Sequence, residues 1–185
     1  YNFSTSLDQT IFTKIMKHIF HTDQSQIASL YGVFAGEAVV IANIPIAIAS
    51  AMSASMIPTI SGTYATGNIR ETNRKIGSAI KTTMLISIPC AVGLFVLAKP
   101  IVMLLFPQAD TVDLSSSLLR GLAITVVFYA LSTLTNAVLQ GIGKVNLPVI
   151  NAAVALTIQT LILIPLLLYT DLKLNGLVIA TISYS

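Results

Sequence analysis

Charged side chains are scarce in this sequence of 185 residues, since Asp, Glu, Lys and Arg make up only 9% of it. A soluble domain typically carries about 25% charged residues and would lack the polar surface to cover a chain that is 55% hydrophobic. Charge is absent altogether from residues 82–98, 121–143 and 145–170. A helix needs roughly 20 predominantly apolar residues to cross the hydrocarbon core of a bilayer. The composition therefore predicts a membrane protein with several spanning helices.

Other scarcities exclude whole classes of function. The single cysteine, Cys90, leaves no partner for an internal disulfide. The ten basic residues form no patch interleaved with aromatics, which argues against nucleic-acid binding. No Ser/His/Asp or Cys/His arrangement and no paired carboxylates stand out, so the sequence predicts neither an enzyme nor a cofactor. His18 and His21 have a spacing that could share a metal, but no further His or Cys converges, and a solvated pair is favoured.

Hydrophobic periodicity and the positions of proline and glycine divide the chain into helical segments. The segments lie at about 1–20, 26–64, 69–97, 114–140, 148–169 and 174–185. The first and last are too short to span a bilayer, so we expect a piece of a longer protein, cut within its first and last spans. The predicted fold class is an all-α, polytopic membrane helix bundle. Lys and Arg are divided evenly between its two sides, so the positive-inside rule leaves the orientation open.

Ionisable residues at membrane depth are rare, and each is by default a functional hypothesis. Within the predicted spans, the three candidates are Asp8, Glu37 and Arg120. Asp8 shares its segment with several Ser, Thr and Gln residues, whose oxygens suit a cation or a sugar; alternatively it pairs with a polar group on another helix. Uncharged polar residues more often join helices than bind substrate. Those within the predicted spans are Asn43, Asn136, Gln140, Asn151 and Gln159.

The clearest cluster of charge lies in GNIRETNRKIGSAIK, residues 67–81. Asn68 and Glu71 have the spacing of a helix-capping box, with Asn in place of Ser or Thr. At 100° per residue, Arg70, Arg74 and Lys81 fall within roughly 40° of one another and form a basic stripe. Such a stripe anchors a loop to anionic headgroups, or it gathers an anionic substrate at the mouth of a cavity.

Three blocks of sequence carry a resemblance to a known family. They are LYGVFAGEAVVIANIP (Leu30 to Pro45), ASMIPTISGTYATGNIRETNRKIGSAIKTTMLISIPCAVGLFVLAKPIVMLLFP (residues 54–107) and LTNAVLQGIGKVNLPVINA (Leu134 to Ala152). In order and spacing they resemble the polysaccharide biosynthesis and lipid-flippase branch of the multidrug/oligosaccharidyl-lipid/polysaccharide exporter superfamily. The stage V sporulation protein B type, related to the lipid II flippases, is the most similar.

The resemblance implies a fold of two lobes, each of six or more spans, around a cavity that opens alternately to either face. This chain resembles the second lobe, and the missing first lobe would be its partner. The loops at residues 70–75 and at Lys144 would then be cytoplasmic, in the cytoplasmic membrane of a bacterium. The implied function is a flippase that moves a polyprenyl-pyrophosphate-linked glycan among the membrane lipids.

The resemblance also gives roles to the polar residues. Arg120 is the first candidate for the pyrophosphate, because a guanidinium binds phosphates bidentately. Some relatives hold a coupling cation between the first and fifth spans, which implies a site at Asp8 and Asn151, although Ala155 stands where a second carboxylate would strengthen it. The remaining substrate or cavity candidates are Glu37, Asn43, Asn136 and Gln140.

Two other functions stay open at this point. A cation-coupled multidrug exporter of the same superfamily would use an apolar cavity lined by aromatic residues, and the 7% aromatic content argues mildly against it. A structural membrane subunit without transport activity would be favoured if no first lobe exists.

Overall fold

The computed structural model describes residues 2–18, 23–106, 110–169 and 173–185, and every regular element in these ranges is helical. The first half contains α1 (Asn2–His18), α2 (Gln24–Gly32), a π-helical segment (Val33–Ala38), α3 (Val39–Ala65) and α4 (Ile69–Val96). The second half contains α5 (Ala98–Leu105), α6 (Val112–Gly141), α7 (Asn146–Tyr169) and α8 (Lys173–Tyr184).

Four stretches are long and apolar enough to cross a membrane: Gln24–Ala65, Ile69–Val96, Val112–Gly141 and Asn146–Leu167. The first contains 42 residues, far more than the roughly 20 that one crossing requires, so it extends beyond the hydrocarbon core. The predicted fold class, an all-α polytopic membrane bundle, is confirmed.

The longest single helix, α6, lies at the centre of the bundle. It packs against α3, α4, α5, α8 and the π-helical segment. Leu118, Leu119, Leu122, Val126 and Leu134 are all buried along it, and their spacing places them on one broad face of the helix. The peripheral helix α7 pairs mainly with α8 and makes smaller contacts with α1 and α6. Because α6 contacts most of the other helices, polar side chains on α6 can form hydrogen bonds or shared cavities with several of them.

The turns at one end of the bundle depend on glycine. Gly67, between α3 and α4, has φ 71°, and Gly143, between α6 and α7, has φ 81°. Side chains beyond Cα disfavour this left-handed conformation, and glycine adopts it at little cost. Since successive spans run antiparallel, both turns lie at the same end, which we call the glycine end. The N-terminus of α6 marks the opposite end.

A short helix, α5, follows α4 at the opposite end, in a stretch for which the sequence predicts no helix. Pro100 is its third residue, a position whose missing N–H would have no intrahelical acceptor in any case. Ala98 and Val102 are buried, while Met103 and Leu104 are exposed. Lys99 Nζ lies 2.8 Å from Asp113 Oδ1, so an ion pair at the surface connects α5 with the start of α6.

Candidate functional site

A buried carboxylate and a buried amide connect α1 with the middle of α7. Gln159 Nε2 donates hydrogen bonds to both carboxylate oxygens of Asp8, at 2.8 Å each. Only 6% of Asp8 and 3% of Gln159 is exposed. This geometry corresponds to the alternative in which Asp8 pairs with a polar group on another helix. We call this pair the closed contact.

The structure does not bring Asp8 and Asn151 together. Asn151 lies eight residues before Gln159 on α7, a rise of about 12 Å along the helix. Asn151 lines a cavity whose wall does not include Asp8. The cation-coupling interpretation of these two residues therefore stays a prediction that their placement does not support.

Glu37 is also buried, in the π-helical segment that interrupts the stretch Gln24–Ala65. The hydroxyl of Ser115 donates a hydrogen bond to its Oε2, and the hydroxyl of Thr111 donates one to its Oε1 at 3.3 Å. Both hydroxyls belong to the N-terminus of α6, where the helix dipole favours a negative charge. Glu37 was predicted as a cavity residue; in the structure it joins two helices. π-helical turns occur frequently at functional sites.

Polar side chains come together in a cavity of about 270 Å³ between α6, α7 and α8. Two of the predicted candidates, Asn136 of α6 and Asn151 of α7, both line it. The cavity lies toward the glycine end, because Asn136 is near the end of α6 and Asn151 near the start of α7. The other lining residues are Tyr129, Ser132, Thr133, Thr135, Ala152, Ala155 and Tyr184. We call this space the amide cavity.

Arg120 lies on another surface, at the edge of an apolar groove of about 480 Å³ between α4 and α6. Its side chain is exposed, and no acidic side chain in the described ranges forms an ion pair with it. Arg120 is sixteen residues from Asn136 along α6, a rise of about 24 Å, so the two candidates cannot share one small site. The rest of the groove is formed by Ile88, Ala91, Val92, Phe95, Gly121, Ala123, Ile124 and Val127.

Two predicted cavity residues do not line either space. Asn43 is half-buried on α3, and Gln140 is exposed near the end of α6. Their predicted roles in a substrate cavity therefore gain no support from the described packing.

The basic stripe lies on the exposed face of α4 at the glycine end. Asn68 accepts a hydrogen bond from the Glu71 backbone N–H at 3.1 Å, which is the N-cap half of the predicted capping box. The Glu71 carboxylate accepts a hydrogen bond from Arg74 at 2.8 Å. Arg70 and Lys81 are exposed. One of the three basic groups in the stripe is therefore already paired.

No cluster of three or more His, Cys, Asp or Glu side chains that could hold a metal occurs among the residues the structure describes. The side chains of His18 and His21, the pair considered for a metal, lie outside that part of the chain.

Sequence reasoning missed several residues that the structure places at these sites. Ser115 and Thr111 hold Glu37 although they lie 78 and 74 residues from it in sequence, and serine and threonine are common enough in spans to give no signal. Tyr129 and Tyr184 contribute rings to the amide cavity. An aromatic residue at an apolar helix position is indistinguishable in sequence from a core residue.

Comparison with known proteins identifies the family. A family model described as lipid II flippase MurJ matches residues 11–185. The chain is 25% identical over 177 residues to the lipid II flippase MurJ of Bacillus subtilis (strain 168), a match that covers 95% of this chain and 32% of that relative. No solved structure matches the chain significantly. The chain, which spans about a third of the length of this curated relative, thus belongs to the lipid II flippase MurJ family, as a multi-pass protein of the bacterial cytoplasmic membrane.

Proposed function

We propose that the complete gene product is a flippase that carries a polyprenyl-pyrophosphate-linked glycan precursor of the cell wall across the membrane by alternating access. The family supports transport of a lipid-linked precursor rather than enzyme catalysis. One structural observation supports the substrate class: an exposed guanidinium, without an ion pair to any described acidic side chain, at the edge of an apolar groove.

Each part of such a substrate requires a different environment. A pyrophosphate cannot enter hydrocarbon without groups that replace its hydration, and Arg does this well because its planar donors bind two phosphate oxygens at once. A polyprenyl chain needs only apolar contact. Arg120 and the groove between α4 and α6 supply both within one surface. We infer that the pyrophosphate contacts Arg120 while the chain lies along Ile88, Val92 and Phe95.

The rest of the proposal concerns the whole protein. We propose that the remaining sequence supplies a first lobe of six or more spans, and that this chain forms the second lobe. The proposed orientation places the glycine end, with its basic stripe, in the cytoplasm. The narrower assignment to the stage V sporulation protein B type, and with it a role in spore formation, stays a prediction.

A complementation experiment tests the proposal. The complete gene product is expressed in a bacterial strain depleted of its own lipid II flippase, and growth and translocation of the lipid-linked precursor are measured. We expect the wild-type protein to restore both and Arg120→Ala to lose translocation while its amount in the membrane is unchanged. Lys17→Ala, which removes an exposed cation of α1, is the control and should behave as wild type.

The two possible failures are distinct. A wild-type protein that is present in the membrane but moves no precursor would overturn the proposed function. A wild-type protein that works, together with a fully active Arg120→Ala variant, would remove only Arg120 from the substrate path.

A further inference from the structure

We propose that the amide cavity is a subsite for the uncharged part of the transported lipid, and that it takes one sugar ring through its hydroxyl and acetamido groups. This inference rests on the proposed function and assigns a second, chemically different site to the same substrate. Arg120 would contact the charged group, and Asn136 and Asn151 the neutral one.

The two amides are available for a ligand. Neither Asn136 nor Asn151 makes a hydrogen bond to another residue in the described part of the chain. Each carboxamide offers two donors and one acceptor, which complements sugar hydroxyls and the amide of an acetamido group equally well. A polar group at membrane depth without a partner is unfavourable, so the pair is suited to a ligand that supplies both donors and acceptors.

The hydroxyls around the amides add acceptors. Thr133 donates to the carbonyl oxygens of Tyr129 and Ala130 at 3.0 and 2.9 Å, and Thr135 donates to that of Leu131 at 2.9 Å. These bonds use the hydroxyl protons and leave the oxygen lone pairs free to accept from a ligand. Tyr129 and Tyr184 contribute ring surface, against which the C–H face of a sugar can pack.

The uncharged lining of the amide cavity argues against a pyrophosphate and against a metal cation as its ligand. None of the nine lining residues carries a carboxylate, an ammonium or a guanidinium group. A pyrophosphate placed there would lose its hydration without a cation to replace it, and a metal cation would meet Ala155 where a carboxylate is needed. The cavity of about 270 Å³ is also smaller than the roughly 300–1,000 Å³ of a pocket for a drug-sized ligand. It has room for one ring rather than for a whole headgroup.

The amide cavity and the Arg120 groove lie at different depths along α6. Asn136 lies toward the glycine end of α6, and Arg120 lies about 24 Å from it, toward the N-terminus of the helix. If the glycine end is cytoplasmic, the amide cavity is the site nearer the cytoplasm and the Arg120 groove, on a different surface of α6, is the site nearer the other face.

Binding of two lipids to the complete gene product in lipid nanodiscs tests the inference. One probe is polyprenyl pyrophosphate that carries a single N-acetylhexosamine, and the other is bare polyprenyl pyrophosphate. We expect Asn136→Ala and Asn151→Ala each to weaken binding of the glycosylated lipid by roughly 2- to 10-fold, the value of one neutral hydrogen bond. Binding of the bare lipid should not change. Asn146→Ala, on the same helix as Asn151 but outside the cavity lining, is the matched control.

The remaining outcomes of the binding experiment would contradict either the sugar subsite or the proposed function. If both asparagine variants bind both lipids as the wild type does, the sugar subsite is wrong and the proposed function stands. If they lose both lipids equally, the cavity does not distinguish the sugar, and the inference is again overturned; thermal unfolding of the variants separates this result from misfolding. If Na⁺ alone binds and Asn151→Ala abolishes that binding, the cavity is a cation site. A wild-type protein that binds neither lipid contradicts the proposed function itself.

Discussion

Two amides on the same helix, eight residues apart, have opposite environments. Gln159 is buried and donates two hydrogen bonds to Asp8, whereas Asn151 is exposed to a cavity and has no protein partner among the described residues. Gln159 joins α7 to α1, whereas the donors and acceptor of the Asn151 side chain remain available for a ligand. A polar residue at membrane depth therefore indicates function only when the packing around it leaves it unsatisfied.

The largest expected effect comes from breaking the closed contact. Gln159→Leu should lower the free energy of unfolding by roughly 3 kcal/mol, because it leaves the Asp8 carboxylate buried without its donor. Unfolding in detergent, followed by circular dichroism, measures the change. The double variant Asp8→Leu/Gln159→Leu should recover most of the loss, since both partners are then apolar. A single variant as stable as the wild type would show that the contact does not hold α1 on α7.

The second prediction concerns the other buried carboxylate. Ser115→Ala should cost about 2 kcal/mol, the value of a hydrogen bond to a charged group, and should increase amide hydrogen exchange in Val33–Ala38. Ser117→Ala, an exposed serine on the same helix, is the control. Equal exchange in the two variants would contradict the role of Ser115 in holding the π-helical segment.

The third prediction sharpens the contrast between the two amides. Asn151→Ala should change the free energy of unfolding by less than about 0.5 kcal/mol, because it breaks no protein contact. The same variant should lose affinity for the glycosylated lipid. A large loss of stability would mean that Asn151 is a packing residue like Gln159, and the distinction between closed and open polar groups would fail on this helix.

The smallest effect is expected at the surface. Arg74→Gln removes the ion pair with Glu71 on an exposed helix face, and exposed pairs contribute little because water and salt screen them. We expect no measurable change in melting temperature at physiological ionic strength. A clear loss of stability that persists in high salt would show that the basic stripe contacts something beyond solvent and headgroups.

The fold class could be predicted from the sequence because it depends on the average hydrophobicity and charge of long stretches rather than on individual contacts. Long uncharged stretches enter the bilayer, where a helix is favoured because all of its backbone N–H and C=O groups form hydrogen bonds within the segment. The capping residue Asn68 was also predictable, since its hydrogen bond to Glu71 depends on residues three apart.

The candidate site could be predicted only in part. The sequence identified Asp8, Glu37 and Asn151 as unusual, yet their partners depend on packing between distant segments: Gln159 lies 151 residues from Asp8. The sequence alone therefore did not distinguish Asp8 as a ligand for a cation or sugar from Asp8 as a hydrogen-bond partner of another helix, because that distinction depends on the packing of α1 against α7. The π-helical segment gave no signal either, because its sequence VFAGEA has ordinary helical composition. Arg120 was identified by its charge alone, and its groove required the packing of α4 on α6.

The π-helical segment also has a consequence for how the family evolves. A π turn holds about one residue more than an α turn, so Val33–Ala38 is equivalent to a single-residue insertion that the helix absorbs without a loop. A homologue that lost one residue here would keep the hydrophobic register of the residues after it and lose only the outward bulge. Glu37 and this bulge should therefore be gained or lost together, as one insertion or deletion in an alignment, with serine at position 115 changing in the same lineages.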